Sequence, residues 1–227
     1  MFYKRKRCES LSYSQCGEDL IVKYIFDVLQ IQKPTYLDIG AHDPFFLSNT
    51  ALFYKLGSHG INIEPDVTLF PKFLKYRKKD INLNIGIGKE DSVADFYVMS
   101  IRTLNTFSKN EAERYESEEN FSINEIIKTK VNTINSILKT YTKGVFPDFL
   151  NIDAEGVDEI IIKSIDFSKN YPLVICIETL SFSTAGKEIK NAKLINFLVD
   201  NGYMVYADTY INTIFVRVDI WRNKSAK

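Results

Sequence analysis

Tyr36-Leu37-Asp38-Ile39-Gly40-Ala41-His42-Asp43 is the stretch whose reading decides the fold. It is a short apolar strand broken by a glycine and followed by an acidic turn. The same pattern returns down the chain. Ile61-Asn62-Ile63 runs into Glu64-Pro65-Asp66, and Asp148-Phe149-Leu150-Asn151-Ile152 runs into Asp153-Ala154-Glu155-Gly156. Leu173-Val174-Ile175-Cys176-Ile177 is a continuous apolar run that ends in Glu178-Thr179. Such a run suits a strand covered on both faces. Each of these strands ends in a carboxylate, and none of those ends carries a lysine or arginine.

Segments of helical period lie between the strands. In residues 17–30, Leu20, Ile21, Tyr24, Ile25, Val28 and Leu29 recur at helical spacing, with Glu18 and Asp19 in the first turn, where the helix dipole favours anions. Further helices are predicted over 46–56, closed by Gly57, over 66–77, over 157–165, and over 188–200, closed by Asn201-Gly202. A third strand is predicted at 82–87. In the middle, strands at 93–98 and 128–133 and a helix at 134–141 flank a charge-rich stretch, 111–120, that reads as a solvated helix or loop. The last two strands, 203–207 and 214–218, are close enough to pair antiparallel. This alternation predicts an α/β, Rossmann-like fold: a mostly parallel sheet, helices on both faces, and one antiparallel C-terminal strand. The expected organisation is a basic tail, 1–13, and one domain, 14–227.

Composition narrows the function. Lys plus Arg number 29 and Asp plus Glu number 29, so the 227-residue chain is formally neutral. It has no global field to hold a phosphate backbone, which argues against nucleic acid as the main partner. No apolar run approaches the ~18–20 residues of a transmembrane helix. The basic start, Lys4-Arg5-Lys6-Arg7, is followed by Glu9-Ser10 and not by an apolar region, which speaks against a secretory signal. Three widely spaced cysteines read as free thiols, and a cytoplasmic location is expected. With His42 and His59 the only histidines, no zinc site and no dedicated metal set is assigned.

In open α/β sheets, ligands bind beyond the carboxyl ends of the strands, near the switch in strand order. A dinucleotide there needs a glycine-rich, phosphate-tolerant turn; the turn after Asp38 is acidic and has one glycine where three are needed. S-adenosylmethionine carries a sulfonium, an ammonium and a ribose diol but no phosphate, so acidic loops suit it. Glu64 follows Asp38 by 26 positions, near the ~20-residue offset at which a carboxylate commonly grips ribose hydroxyls.

Taken together, Ser14-Gln15-Cys16-Gly17-Glu18-Asp19, the Asp38 loop with Leu47-Ser48-Asn49-Thr50, Ile63-Glu64-Pro65, the segment from Phe149 through Gly156, and Gly202-Tyr203 with Asn212 resemble the FkbM family of methyltransferases. The motifs run in order from Ser14 to Val218. Two positions depart from the pattern: His42-Asp43-Pro44 stands where the family often has Asn-Asp-Gly, and Ala154 where it often has Val. The resemblance implies a class I methyltransferase fold, S-adenosylmethionine as donor, and a hydroxyl of a sugar or nucleotide-activated sugar as acceptor, with a place in bacterial surface-glycan biosynthesis.

The expected donor-binding residues are Ser14, Gln15, Gly17, Glu18, Asp19, Asp38, Gly40, Ala41, His42, Ser48, Asn49, Glu64, Pro65, Asn84 and Asp153. The expected catalytic groups are Asp153 and Glu155 first, then His42 and Glu178, one of them serving as general base. The same carboxylates leave Mg²⁺ as an alternative way to orient the acceptor. Two other readings stay open: a methyltransferase fold that has lost activity and serves as a binding module, and a nicotinamide-dependent oxidoreductase, which the missing glycines disfavour. Calorimetry discriminates them. The chain should bind S-adenosylmethionine and S-adenosylhomocysteine in preference to NAD; uptake of NAD alone would overturn the methyltransferase reading.

Overall fold

The computed structural model describes residues 9–223, so the basic run from Lys4 to Arg7 lies outside the described residues. The chain opens with α1 (Glu18–Val28), whose inner face carries Val22, Ile25 and Phe26, and enters β1 (Tyr36–Ile39). Helix α2 (Ala51–Lys55), β2 (Gly60–Ile63), α3 (Phe70–Tyr76) and β3 (Ile81–Leu83) follow. Next come β4 (Gly86–Ile87), β5 (Ser92–Met99), α4 (Lys109–Glu118), β6 (Ile123–Asn132) and α5 (Ile134–Tyr141). The C-terminal half contains β7 (Phe149–Ile152), α6 (Asp158–Lys163), β8 (Val174–Glu178), α7 (Ala192–Asp200), β9 (Tyr203–Asp208), β10 (Asn212–Arg217) and α8 (Val218–Arg222).

Seven strands form one sheet in the order β3-β2-β1-β7-β8-β10-β9. β1 pairs parallel with β2 and with β7, and β7 parallel with β8, whereas β10 pairs antiparallel with both β8 and β9. The expected mostly parallel sheet with one antiparallel C-terminal strand is therefore present. Every residue of β1 and β7 is buried, as helices on both faces require. One face packs Leu37, Ile39, Leu150, Ile152 and Ile175 against α5, α6 and α7. The other packs Tyr36, Phe149, Val174 and Cys176 against α1, with Phe26 and Phe53 edge to face. The alternation of faces along each strand separates these two sets.

Four predicted elements come out differently. The helix expected over 46–56 is confined to α2; residues 43–50 form a loop, in which Asp43 Oδ1 accepts the amides of Phe45 and Phe46 and so competes with helical bonding. The strand expected at 82–87 is split: β3 stays in the main sheet, while β4 leaves it to join β6 and β5 in a second, three-stranded sheet. The helix expected over 66–77 starts at Phe70, after a turn in which Asp66 accepts the amides of Thr68 and Leu69. The helix expected over 188–200 starts at Ala192, capped by Asn191, because Lys190 instead forms an antiparallel bridge with Leu180.

The main sheet positions the site through one close approach. Gly40 has φ +76°, and a Cβ there would lie 1.7 Å from the carbonyl oxygen of Asp153. The loops leaving β1 and β7 thus touch backbone to backbone. Gly40→Ala combines left-handed backbone strain with an overlap that the neighbouring chain cannot relieve by a side-chain rotation. It should cost about 3 kcal/mol or more in urea unfolding; a loss below ~1 kcal/mol would show the two loops free to separate.

Candidate functional site

The chain runs outward from β1 to β2 and β3, then returns to β7 on the other side of β1, so the strand order switches between β1 and β7. A cavity of about 390 Å³ lies at the carboxyl ends of the strands there, within the range of roughly 300–1,000 Å³ common for small-ligand sites. It runs from Glu64 and Pro65, past Asp38 and Asn49, to Asp153, Glu155 and Glu178.

At one end the carboxylates are buried and well supplied with donors. Asp38 receives the Thr50 hydroxyl at 2.6 Å and the Asn151 amide at 2.8 Å. Burial still holds its pKa above the ordinary range. Glu64 accepts the backbone amides of His42 and Asp66, both at 2.7 Å. Burial pushes its pKa up to about 8, against the pull of those two bonds. Glu64 therefore shapes both neighbouring loops and lines the cavity between them. His42, half-buried and at φ 53°, has its pKa lowered by burial.

The other end is different. Ligand oxygens of Asp153, Glu155 and Glu178 lie within 4.8 Å of one another, an all-oxygen set of the kind hard divalent cations use. Asp153 touches solvent through the cavity, but protein packs closely around it, so desolvation together with the neighbouring carboxylates still raises its pKa. The same two causes raise Glu155 and Glu178. Three like charges at this spacing cannot all ionise cheaply, and their titrations are linked. Capping of α6 does not consume Asp153 or Glu155: its N-cap is Val157 and no side chain accepts a cap bond there.

The remaining sequence candidates divide clearly. Gln15, Gly40, Ala41, Ser48, Asn49 and Pro65 line the cavity. Ser14, Gly17, Glu18, Asp19 and Asn84 do not. Asp19 collects Ser12, Ser14 and the amide of Tyr13, while Glu18 accepts Thr209 and Asn212. Glu18 thereby ties the first helix to the turn bearing Tyr210, another lining residue. Asn84 donates to the carbonyls of Glu64 and Pro65 and so supports the loop from behind.

Sequence reasoning missed three contributions. Arg102, in a 3-10 turn after β5, lines the cavity and pairs with Asp66, which also accepts Asn105. Tyr115, on the helix read as merely solvated, is buried and donates its hydroxyl to Glu155 at 2.9 Å. Phe182, in the segment after β8, lines the cavity and packs edge-on against Tyr115. The one available signal was the buried spacing of Ala112 and Tyr115 within a polar helix. His42, Leu47, Glu155 and Tyr210 all have positive φ and all line the cavity, a clustering of backbone strain typical of functional sites.

Fold and site together define a class I methyltransferase architecture. Residues 38–205 match the family model described as the methyltransferase FkbM domain. The chain belongs to the FkbM methyltransferase family. No functionally curated protein matches the sequence. Among solved structures, the chain resembles the methyltransferase FkbM of Methylobacillus flagellatus (14% identity, TM-score 0.48), with 82% of this chain covering 44% of that one. The chain thus spans less than half the length of that protein. It also resembles the Burkholderia thailandensis 1,6-didemethyltoxoflavin-N1-methyltransferase with bound S-adenosylhomocysteine (8%, TM-score 0.42; 89% and 77% covered). A third similar structure is the precorrin-6y C5,15-methyltransferase of Geobacter metallireducens (12%, TM-score 0.43; 93% of each chain). Among the described residues no helix is long and apolar enough to cross a membrane.

The raised pKa values predict a pH dependence. A carboxyl whose folded pKa exceeds its unfolded value stabilises fully below the unfolded value and loses that contribution as pH rises through the folded one. For Glu64 the window runs from 4.5 to about 8, and Asp38, Asp153, Glu155 and Glu178 act with the same sign. Asp43 and Asp66, with lowered values, act oppositely in acid, and His42, also lowered, acts oppositely below its ordinary 6.5, one group against five. Urea unfolding of the free protein should therefore show stability falling from pH 5 to 8, less steeply in Glu64→Gln. A flat wild-type profile would mean that these carboxyls ionise without penalty.

Proposed function

We propose that the chain transfers a methyl group from S-adenosylmethionine to a hydroxyl of a sugar or nucleotide-activated sugar, in bacterial surface-glycan biosynthesis. The supporting observation is one cavity that joins Asp38 and Glu64 to the clustered carboxylates Asp153, Glu155 and Glu178. Residues 14–227 act in this reading as one methyltransferase domain.

The donor supplies an already activated methyl group. Glu64 takes the ribose diol, and the negative charge of Asp38 faces the donor's cationic end. Gly40, Ala41, Ser48, Asn49 and Pro65 form the walls, with His42 and Gln15 at the rim. Ser14, Gly17, Glu18, Asp19 and Asn84 serve donor binding by holding the loops that touch it. A sugar hydroxyl is a poor nucleophile, so a base must remove its proton as it attacks. Asp153 or Glu155 does this: the raised pKa that close packing and neighbouring carboxylates impose makes each a stronger base than an ordinary carboxylate. Glu178 and His42 are the next groups within the same cavity. Asp153, Glu155 and Glu178 are also the residues that would hold Mg²⁺, and the effect of EDTA on turnover separates that role from direct proton transfer.

The test is a donor-consumption assay against a panel of sugars and nucleotide-activated sugars, read by mass spectrometry for the gain of one methyl. Asp153→Asn should lower turnover ~10²–10⁴-fold while leaving S-adenosylhomocysteine affinity largely unchanged. Near-wild-type turnover in both Asp153→Asn and Glu155→Gln would place the base elsewhere. Donor binding with no methyl gained by any acceptor in the panel would count against a sugar acceptor.

A further inference from the structure

Arg77 does not line the cavity, yet its guanidinium touches both ends of a loop that does. It follows α3 and is fully buried. Nη1 donates to the carbonyl oxygen of Pro44 at 3.0 Å. Nη2 donates to the Thr50 hydroxyl at 3.1 Å and the Tyr36 hydroxyl at 2.8 Å, and Nε donates to Asp80 at 2.9 Å. Pro44 and Thr50 bracket Leu47, Ser48 and Asn49, all of which line the cavity. Thr50, having accepted from Arg77, passes its own proton to Asp38 at 2.6 Å. The other oxygen of Asp38 accepts from Asn151, whose amide oxygen accepts from Asn49. The loop is therefore pinned at each end by one guanidinium and closed into a ring through Asp38.

We propose that Arg77 is a positioning residue for donor binding: through Thr50 and Pro44 it sets the shape of loop 44–50 and the orientation of Asp38. Stability alone does not account for a guanidinium in this place. A buried ion pair such as Arg77–Asp80 often adds nothing over apolar residues of equal volume, and its best-supported use is to specify one arrangement among several. Asp80 is already supplied by Tyr36, Asn62 and the amide of Gly60, so the pair does not need the two contacts to the loop. Lysine could not replace them, because a single ammonium lacks the planar fork that reaches Asp80, Pro44 and Thr50 at once.

This inference rests on the donor reading above, and the test separates the two. Thr50→Val removes the hydroxyl at nearly constant volume and leaves the Arg77–Asp80 pair intact; Thr50→Ser restores the hydroxyl. Each full-length protein is titrated calorimetrically with S-adenosylhomocysteine and unfolded in urea. Thr50→Val should bind roughly tenfold more weakly, as loss of a hydrogen bond to a charged group implies, and Thr50→Ser should bind within about twofold of wild type. If Thr50→Val does not fold, Arg77→Lys, which keeps the charge and loses the fork, should itself bind S-adenosylhomocysteine roughly tenfold more weakly than wild type. A wild-type chain that takes up no S-adenosylhomocysteine overturns the donor reading and this role with it. Wild-type binding matched by undiminished binding in Thr50→Val, or in Arg77→Lys, overturns the positioning role alone.

Discussion

A carboxylate at the end of a strand covered on both faces has no water to turn to, and the rest of this site is built around that constraint. Asp38 is 2% exposed. An ionised carboxylate so placed needs donors from the protein itself, and they come from three directions: Thr50 at the start of α2, Asn151 on the neighbouring strand, and Arg77 at one remove. Each donor sits on a different element. Satisfying one charge therefore fixes β1, β7, α2 and the end of α3 relative to one another. The Asp38 half of the cavity follows from solving this problem of burial.

The opposite end is left unsolved in the free protein. Tyr115 gives Glu155 one hydrogen bond, but among the described residues no arginine or lysine is paired with Asp153, Glu155 or Glu178. Desolvation by the surrounding protein and repulsion from neighbouring carboxylates push all three upward in pKa, although Asp153 itself is open to solvent. A sulfonium or other cation would relieve that repulsion, whereas an apolar replacement would stabilise the free chain. The contrast between the two ends is physical: donors supplied from within make a rigid platform, and donors withheld make groups ready to bind a proton or a positive charge.

The strands were legible because burial on both faces demands apolar runs, and 36–39, 149–152 and 174–177 supply them with little ambiguity. Their carboxyl ends were legible for the same reason, since a charge after such a run has to face a cleft. What escaped were decisions made by side chains bonding to backbone. Asp43 unwinds the expected start of a helix, and Asn84 turns the chain out of the main sheet by holding the carbonyls of Glu64 and Pro65. Periodicity carries no record of such bonds. Of the four hydrogen-bonding side chains of residues 14–19, Gln15 lines the cavity, while Glu18 bonds to Thr209, 191 residues away, and Asp19 to Ser12 and Ser14 just ahead of it.

The covering elements show the same limit from the other side. The segment after β5, helix α4 and the segment after β8 have no long apolar run, because each packs one narrow stripe onto the site and leaves the rest in solvent. Tyr115 and Phe182 meet edge to face, and Thr184 and Glu119 join the same two segments a few residues away. Gly156 lets α4 approach, since a Cβ there would meet Glu111 at 2.5 Å. These contacts form a roof over Glu155 whose parts lie far apart in sequence. A polar helix with one buried tyrosine looks, residue by residue, like a solvated one. Only the placement of the strand ends beneath it shows that the tyrosine has a carboxylate to reach.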